Sequence, residues 1–348
     1  MLKVFTAFDG VGVVEMALKD LNIKYKNVGI SLANDFEYDA YCEMHGHRRN
    51  FGAMHLIKPE TIPYHHLFFY RMYLNDSVRI ATKMESWTRN RRRNGLMGAY
   101  YNHIKHNMPP FLIMESAVGM SNKMYGKHLT NWMEDLKDLG YANYFKEMNS
   151  KYFKVPQSRN RFYLVSILEN VFTYEFPKEH DVIYCIDDIL DYGFDDSFYV
   201  DERLYDKLIY IDRDNTDSTK INQVYKISTN TIDNPNIYRV YHPFGLAPSL
   251  TKMSGGGRVP LITESMFDID NNNRYYESGT ELIRQLTPLE CWRLMGYDDK
   301  YYNMVSHMAK TRLYHLAGDN MVKNVVYEIL KSLLNENNEL YTIIMQGD

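Results

Sequence analysis

The stretch LKVFTAFDGVGVVEMALKDL, residues 2–21, decides the fold. LKVFTAF (2–8) is a short apolar run suited to a buried strand, and GVG (10–12) supplies a turn. VVEMALKDL (13–21) then sets apolar side chains at helical spacing. Working outward, YKNVGISLA (25–33) reads as a second strand and DAYCEMHG (39–46) as a helix. HHLFFYRM (65–72) is a strand, LMGAYYNHIKHN (96–107) a helix, and PPFLIMESAV (109–118) a strand with prolines before it. A helix over 127–139 leads through ANYFKEMNS to the strand RFYLVSIL (161–168). Strands alternating with helices predict an α/β, Rossmann-like, doubly wound parallel sheet over residues 1–171. Residues 172–280 are rich in Asp, Asn and Tyr, with short strand-like pieces, which predicts a smaller, mostly β and irregular domain. Residues 281–348 turn helical again, and the amphipathic NMVKNVVYEILKSLL is expected to return to the first domain.

The bulk numbers fit that picture. A chain of 348 residues, 45% hydrophobic and 24% charged, is long enough for a large core with a smaller companion. A net charge of −4 provides no global basic field, so any contact with nucleic acid must come from local patches. The three cysteines, Cys42, Cys185 and Cys291, lie far apart; they form neither a zinc spacing nor a disulfide framework, and no metal is expected. MLKVFTAFDG is interrupted too soon for a signal peptide, and no apolar run has bilayer length, so no membrane contact and a cytoplasmic location are expected.

A strand–FDGVG–helix element lets a backbone approach a nucleotide-like ligand, though such glycines also serve packing. Further segments then come in order. They are VGIS (28–31), NFGAM (50–54), PPFLIMESAVG (109–119) and VPQSRNRFYLVSI (155–167). YRVYHPFGLAPSLTKMSGGGR (238–258), RQLTPLECWRLMGY (284–297) and LAGDNMVKNVVYEIL (316–330) complete the series. Together with KVFTAFDGVGVVEMAL (3–18), this series resembles the DNA (cytosine-5) methyltransferase family over all but about 172–235. The resemblance implies a pocket for S-adenosylmethionine lined by Phe8, Gly10 and Gly12 and closed near Asp319. It implies that Glu115 contacts N3 of a flipped cytosine, with Gln157, Arg159 and Arg161 orienting glutamate, base and backbone. A Glu–Arg pair at adjacent strand ends also reads as a plain buried ion pair, and both readings stand at this point.

Several positions depart from the family pattern. The family reaction adds a thiolate to C6 of the flipped base so that C5 can take a methyl group. The turn that carries the thiolate aligns with Tyr73, Leu74 and Asn75, and no cysteine occurs between Cys42 and Cys185. The ribose-binding acid falls at Leu32, with Asn34 and Asp35 close by; the adenine-binding aspartate falls at Ala53, and the closing asparagine is Asp319. Each of the two lost carboxylates is worth roughly 1.5–3 kcal/mol in charge-assisted bonds, so together they cost about two or more decades of affinity. We therefore expect that no cofactor is required and that S-adenosylmethionine binding is compromised.

Added charge points the other way. RNRRR (89–93) comes after Arg79 and Lys83 in the loop that closes over DNA in this family; Arg79, Lys83, Arg91, Arg92 and Arg93 are positioned to neutralise phosphates. Gly255, Gly256 and Gly257 resemble a recognition loop whose bare backbone approaches DNA. The expected function is a catalytically inactive family homologue that binds double-stranded DNA, with a flipped base and without methyl transfer. A composition rich in Asn, Lys, Tyr and Ile suits a phage or mobile element. The alternatives are a regulatory or scaffold subunit with a protein partner, an enzyme of altered chemistry on a base, and an active methyltransferase.

Overall fold

A computed structural model describes residues 1–72, 95–117, 123–168, 173–211, 217–228, 237–253, 255–264 and 282–334. The chain divides into two compact units, one of Met1–Met148, Asn160–Lys178 and Lys323–Asp348, the other of Asn149–Arg159 and Glu179–Val322.

The first unit is built on a six-stranded sheet. Its strands are β1 (Leu2–Ala7), β2 (Tyr25–Ser31), β3 (Leu67–Met72), β4 (Phe111–Ala117), β5 (Tyr141–Asn149) and β7 (Asn160–Leu168), with the short β6 (Gln157–Ser158) before β7. The order is β2-β1-β3-β4-β7-β5. β3 is buried at every position and β4 at all but its last, as expected of strands covered on both faces. The helices are α1 (Val13–Asp20), α2 (Asp35–His45), α3 (Leu96–Asn107) and α4 (Lys123–Asp138). The pairs β1–β2, β1–β3 and β3–β4 are parallel. β7 runs antiparallel to β4, which corrects the expectation of an all-parallel sheet. Only residues 150–159 separate β5 from β7, too few for a crossover helix, so the chain turns back.

The second unit carries a five-stranded sheet in the order β13-β12-β10-β9-β8. Its members are β8 (Leu208–Tyr210), β9 (Gln223–Ile227), β10 (Arg239–Tyr241), β12 (Leu261–Glu264) and β13 (Leu282–Gln285), while β11 (Ala247–Pro248) pairs with β6. Val224, Ile227, Val240, Leu261 and Ile283 form its apolar core. The helices α5 (Pro288–Leu294), α6 (Asp299–Val305) and α7 (Lys310–Gly318) belong to this unit, and α8 (Lys323–Leu333) to the first. Residue 281 is therefore not where the chain returns to the first unit; Lys323 is. The reason lies in β13, which pairs with β12, and in Arg284, fully buried and paired through Nη2 with Glu290 at 2.8 Å. Glu290 also closes a capping box with Thr287 at the start of α5, which ties that helix to the same sheet. Beyond it α8 packs on α1, where Lys323 Nζ lies 3.0 Å from Asp20 Oδ2.

Candidate functional site

Three neighbouring strands of the first unit bring charge together at one end of the sheet. Arg71 and Glu115 are direct register partners on β3 and β4, and Arg161 stands opposite Ala117 on β7. Arg71 Nε donates to Glu115 Oε2 at 2.7 Å, and Arg161 Nε lies 3.5 Å from Oε1. Glu115 is 1% exposed and Arg71 7%, while the Arg161 side chain retains 20%. Burial, with the like charge of Arg71, lowers the Arg161 pKa, and Glu115 opposes that shift. The cluster carries one negative and two positive charges, at the carboxyl ends of β3 and β4 where doubly wound sheets bind ligands. Sequence reasoning singled out Glu115 and Arg161 and missed Arg71. Its signal was a lone cation in the apolar strand LFFYRM, a residue type that is buried there only with a partner.

The glycine turn closes β1 onto α1. Phe8 adopts a left-handed backbone (φ 64°), and its N–H donates to the Ser31 carbonyl. Asp9 turns back, its carboxylate accepting the N–H groups of Val13 (2.7 Å) and Val14 (3.0 Å). Burial first, and then the negative charge of Glu15, raises its pKa to about 7. Gly12 has φ 67°, and a Cβ there would sit 2.4 Å from His45 Nε2. His45 in turn bonds the Val11 carbonyl at 2.9 Å, so this glycine is fixed by internal packing. Leu32 is buried with Ile30 and Tyr41, and both of its backbone groups bond the Asn50 side chain. Ala53 precedes the short 3-10 turn Met54–Leu56. Past Leu32, Asn34 and Asp35 are exposed at the start of α2, and Asn34 donates to Glu37 at 2.9 Å.

In the second unit, Gln157 and Arg159 work inward. Gln157 is 0% exposed; its amide nitrogen donates to the Leu294 carbonyl, and its oxygen accepts from the Leu250 N–H. Arg159, also buried, donates to the carbonyls of Leu250 and Asn320. These bonds fasten residues 250, 294 and 320 together and correct the assignment of Gln157 as a residue facing DNA, because no atom of it reaches the surface. Of that motif, Arg161 forms an ion pair with Glu115. Asp319, at the end of α7, pairs with Lys252 at 2.9 Å. The neighbouring Gly318 leaves no room for a side chain, since a Cβ would lie 1.6 Å from the Thr251 carbonyl oxygen. Gly255 and Gly256 are exposed with open space around them, whereas Gly257 lies under the Tyr238 ring. Tyr73, Leu74, Asn75, Arg79, Lys83, Arg91, Arg92 and Arg93 lie outside the described residues.

The family model for the C-5 cytosine-specific DNA methylases matches residues 2–335. The chain belongs to that family. It is 24% identical to the orphan methyltransferase M.SPBetaI of Bacillus phage SPbeta, over 96% of this chain and 98% of that one. It is also 24% identical to the type II methyltransferase M2.ScrFI of Lactococcus lactis subsp. cremoris, over 82% of this chain and 71% of that one. In fold it is similar to the Dnmt2 methyltransferase of S. pombe, with a TM-score of 0.66 at 19% identity over 97% of this chain and 100% of that one.

Membership overturns the expectation that no cofactor is required. Members of the family are S-adenosylmethionine-dependent methyltransferases, and that cofactor is expected here too. The residues present fit it. Phe8 and Gly12 hold the turn after β1 in a left-handed backbone, and Gly52 (φ 80°) has open space beside it. Asn34, Asp35 and Glu37 offer polar atoms just past the apolar Leu32. No helix among the described residues is long and apolar enough to cross a membrane.

Proposed function

We propose that this protein binds DNA and S-adenosylmethionine on a cytosine-5 methylase fold without completing thiolate-dependent methyl transfer. One observation carries the reading: Arg71, Glu115 and Arg161 gather in one buried charged cluster, yet no cysteine stands near it in the sequence. Cys42, the one cysteine within the first unit, belongs to α2, which comes after β2, two strands from β3 in the sheet order. Cys291 is fully buried in α5, and burial raises its pKa well above the ordinary thiol value. When bound, S-adenosylmethionine supplies an electrophilic methyl group. Phe8, Gly10 and Gly12 shape its floor, with Asn34, Asp35 and Glu37 in the place of the missing ribose acid. A base extruded from the duplex meets the Glu115 cluster. DNA phosphates meet Arg79, Lys83, Arg91, Arg92 and Arg93, and the exposed backbone of Gly255 and Gly256 meets the groove. The phage relatives support a role in a mobile element.

Two assays test this. Duplex carrying 5-fluorocytosine at the target traps a thiolate adduct in an active member; here no SDS-stable adduct is expected. Mobility shift should show DNA binding that weakens when Arg91, Arg92 and Arg93 become Ala. An adduct defeats the inactive reading, and the absence of a shift even at low salt defeats the DNA reading.

A second reading, a scaffold that engages a protein partner, draws on Ile209, Tyr210 and Ile211 in the second unit, each about half exposed. Mass photometry of the chain with a partner methyltransferase tests it, a shift to the summed mass being the supporting outcome.

A further inference from the structure

Gly12, the cap residue of α1, offers no side chain, so the first amides of that helix need acceptors from elsewhere. Asp9 supplies them. Its Oδ1 accepts from the Val13 N–H at 2.7 Å and its Oδ2 from the Val14 N–H at 3.0 Å. Its backbone carbonyl accepts from the Gly12 N–H at 3.1 Å, so one residue holds the turn between β1 and α1 along its length. Each carboxylate oxygen has one amide to serve, and serving both needs the ionised form. A proton on either oxygen weakens it as an acceptor and adds a donor that must itself be placed.

The surroundings oppose that ionised form. Asp9 is 1% exposed, and so is Glu15 on the buried face of α1. Glu15 Oε1 accepts from Tyr41 and Asn27, while its Oε2 is buried without a hydrogen-bond partner. Burial and the charge of Glu15 push Asp9 up to about 7; the two amides pull the other way, and Arg71 on β3 is the weakest influence. On α2, His45 and Tyr41 also face Glu15. Burial first, then Lys19 and Arg48, lowers the His45 pKa against the pull of Glu15 and the Val11 carbonyl. Burial and Glu15 raise that of Tyr41. Those shifts carry both groups away from neutral pH and carry Asp9 toward it.

We propose that Asp9 is a positioning residue: ionised, it latches the turn over residues 9–14 in the form that takes the cofactor, and on gaining a proton it lets go. The cofactor part of that role rests on the proposed function; the latch rests on the turn alone. If S-adenosylmethionine binds the latched form, its affinity follows the ionised fraction of Asp9. A midpoint near 7 then makes binding about tenfold weaker at pH 6 than at pH 8.

Two measurements separate latch from ligand. In the ligand-free chain, labelled on valine, the Val13 and Val14 amide resonances should titrate together between pH 6 and 8, and should stay fixed in Asp9→Asn. Calorimetry with S-adenosylhomocysteine should show the tenfold weakening in the unaltered chain and a flat, weak profile in Asp9→Asn. Glu15→Gln removes the repelling charge but keeps an oxygen for Tyr41, so it should move both midpoints to lower pH; it serves alone if Asp9→Asn does not fold. Amides that do not titrate in this window, or midpoints that Glu15→Gln leaves in place, overturn the latch. Titrating amides with equal S-adenosylhomocysteine affinity at pH 6 and 8 overturn the positioning role. Titrating amides in a chain that binds no S-adenosylhomocysteine at any pH uphold the latch and overturn the cofactor reading.

Discussion

Replacing Glu115 by Gln leaves Arg71 and Arg161 facing each other without the anion between them. Loss of one member from a buried ionic cluster costs about 3 kcal/mol, and urea denaturation should show it as a lower midpoint with unchanged slope. Gly12→Ala meets two obstacles, a left-handed backbone and the His45 ring, whereas Gly256→Ala meets only the first. The first should cost at least about 1 kcal/mol more than the second in the same measurement. Asp9 adds a pH dependence. Its folded pKa of about 7 stands above the ordinary 3.8, so its contribution to stability is complete below 3.8 and is lost as pH rises through 7. The span is at most about 4 kcal/mol. Asp9→Asn should flatten the stability profile over that window; an unchanged profile would place the titration elsewhere.

At the scale of elements, the segment entering β3 is fastened to α3 by a histidine pair. His65 Nδ1 bonds the Pro63 carbonyl at 2.9 Å, which assigns the proton to that nitrogen and leaves Nε2 to accept from His103 at 3.2 Å. His103 Nδ1 then accepts from Asn107. The rings stack at 5.0 Å, both neutral and fully buried. Burial lowers the His65 pKa from 6.5 to about 4, so the unfolded chain takes up the proton first as pH falls. That contribution is intact above 6.5 and lost on descending to 4, about 3 kcal/mol in all. It opposes the Asp9 effect. His65→Phe should therefore remove the opposing effect and unmask a steady loss of stability as pH rises from 4 to 7, as read by thermal melts at pH 4 to 8.

The same elements show what the sequence made legible. Strand–turn–helix order was readable because apolar period and glycine position are local properties, and β1, α1, β3, α3 and β4 all appear where spacing places them. The reversal of β7 and the hold of β13 on the second sheet were not, since strand direction and partner are set by connections and distant pairing. The site divides likewise. Glu115 and Arg161 came from a motif; the bonds that Gln157 and Arg159 of the same motif make were not legible, because they run to residues 91 to 161 positions away. Arg71 matches no motif position, and only the β3–β4 register brings it to Glu115.

For the molecule as a whole, family membership and chemistry pull apart at one point. The match over residues 2–335 brings S-adenosylmethionine with it, while the chain offers no thiol in the stretch between Cys42 and Cys185. A pocket with Asn34, Asp35 and Glu37 in place of the ribose acid should bind S-adenosylmethionine and S-adenosylhomocysteine measurably by calorimetry, and Asp35→Ala with Glu37→Ala should weaken both about tenfold or more. DNA affinity carried by a few phosphate contacts should fall steeply between low and physiological salt. The most direct measurement is transfer of a tritiated methyl group from S-adenosylmethionine to mixed-sequence duplex DNA at concentrations where both are bound. A chain without the thiolate should give incorporation no higher than a protein-free control; robust incorporation into cytosine would contradict its proposed inactivity.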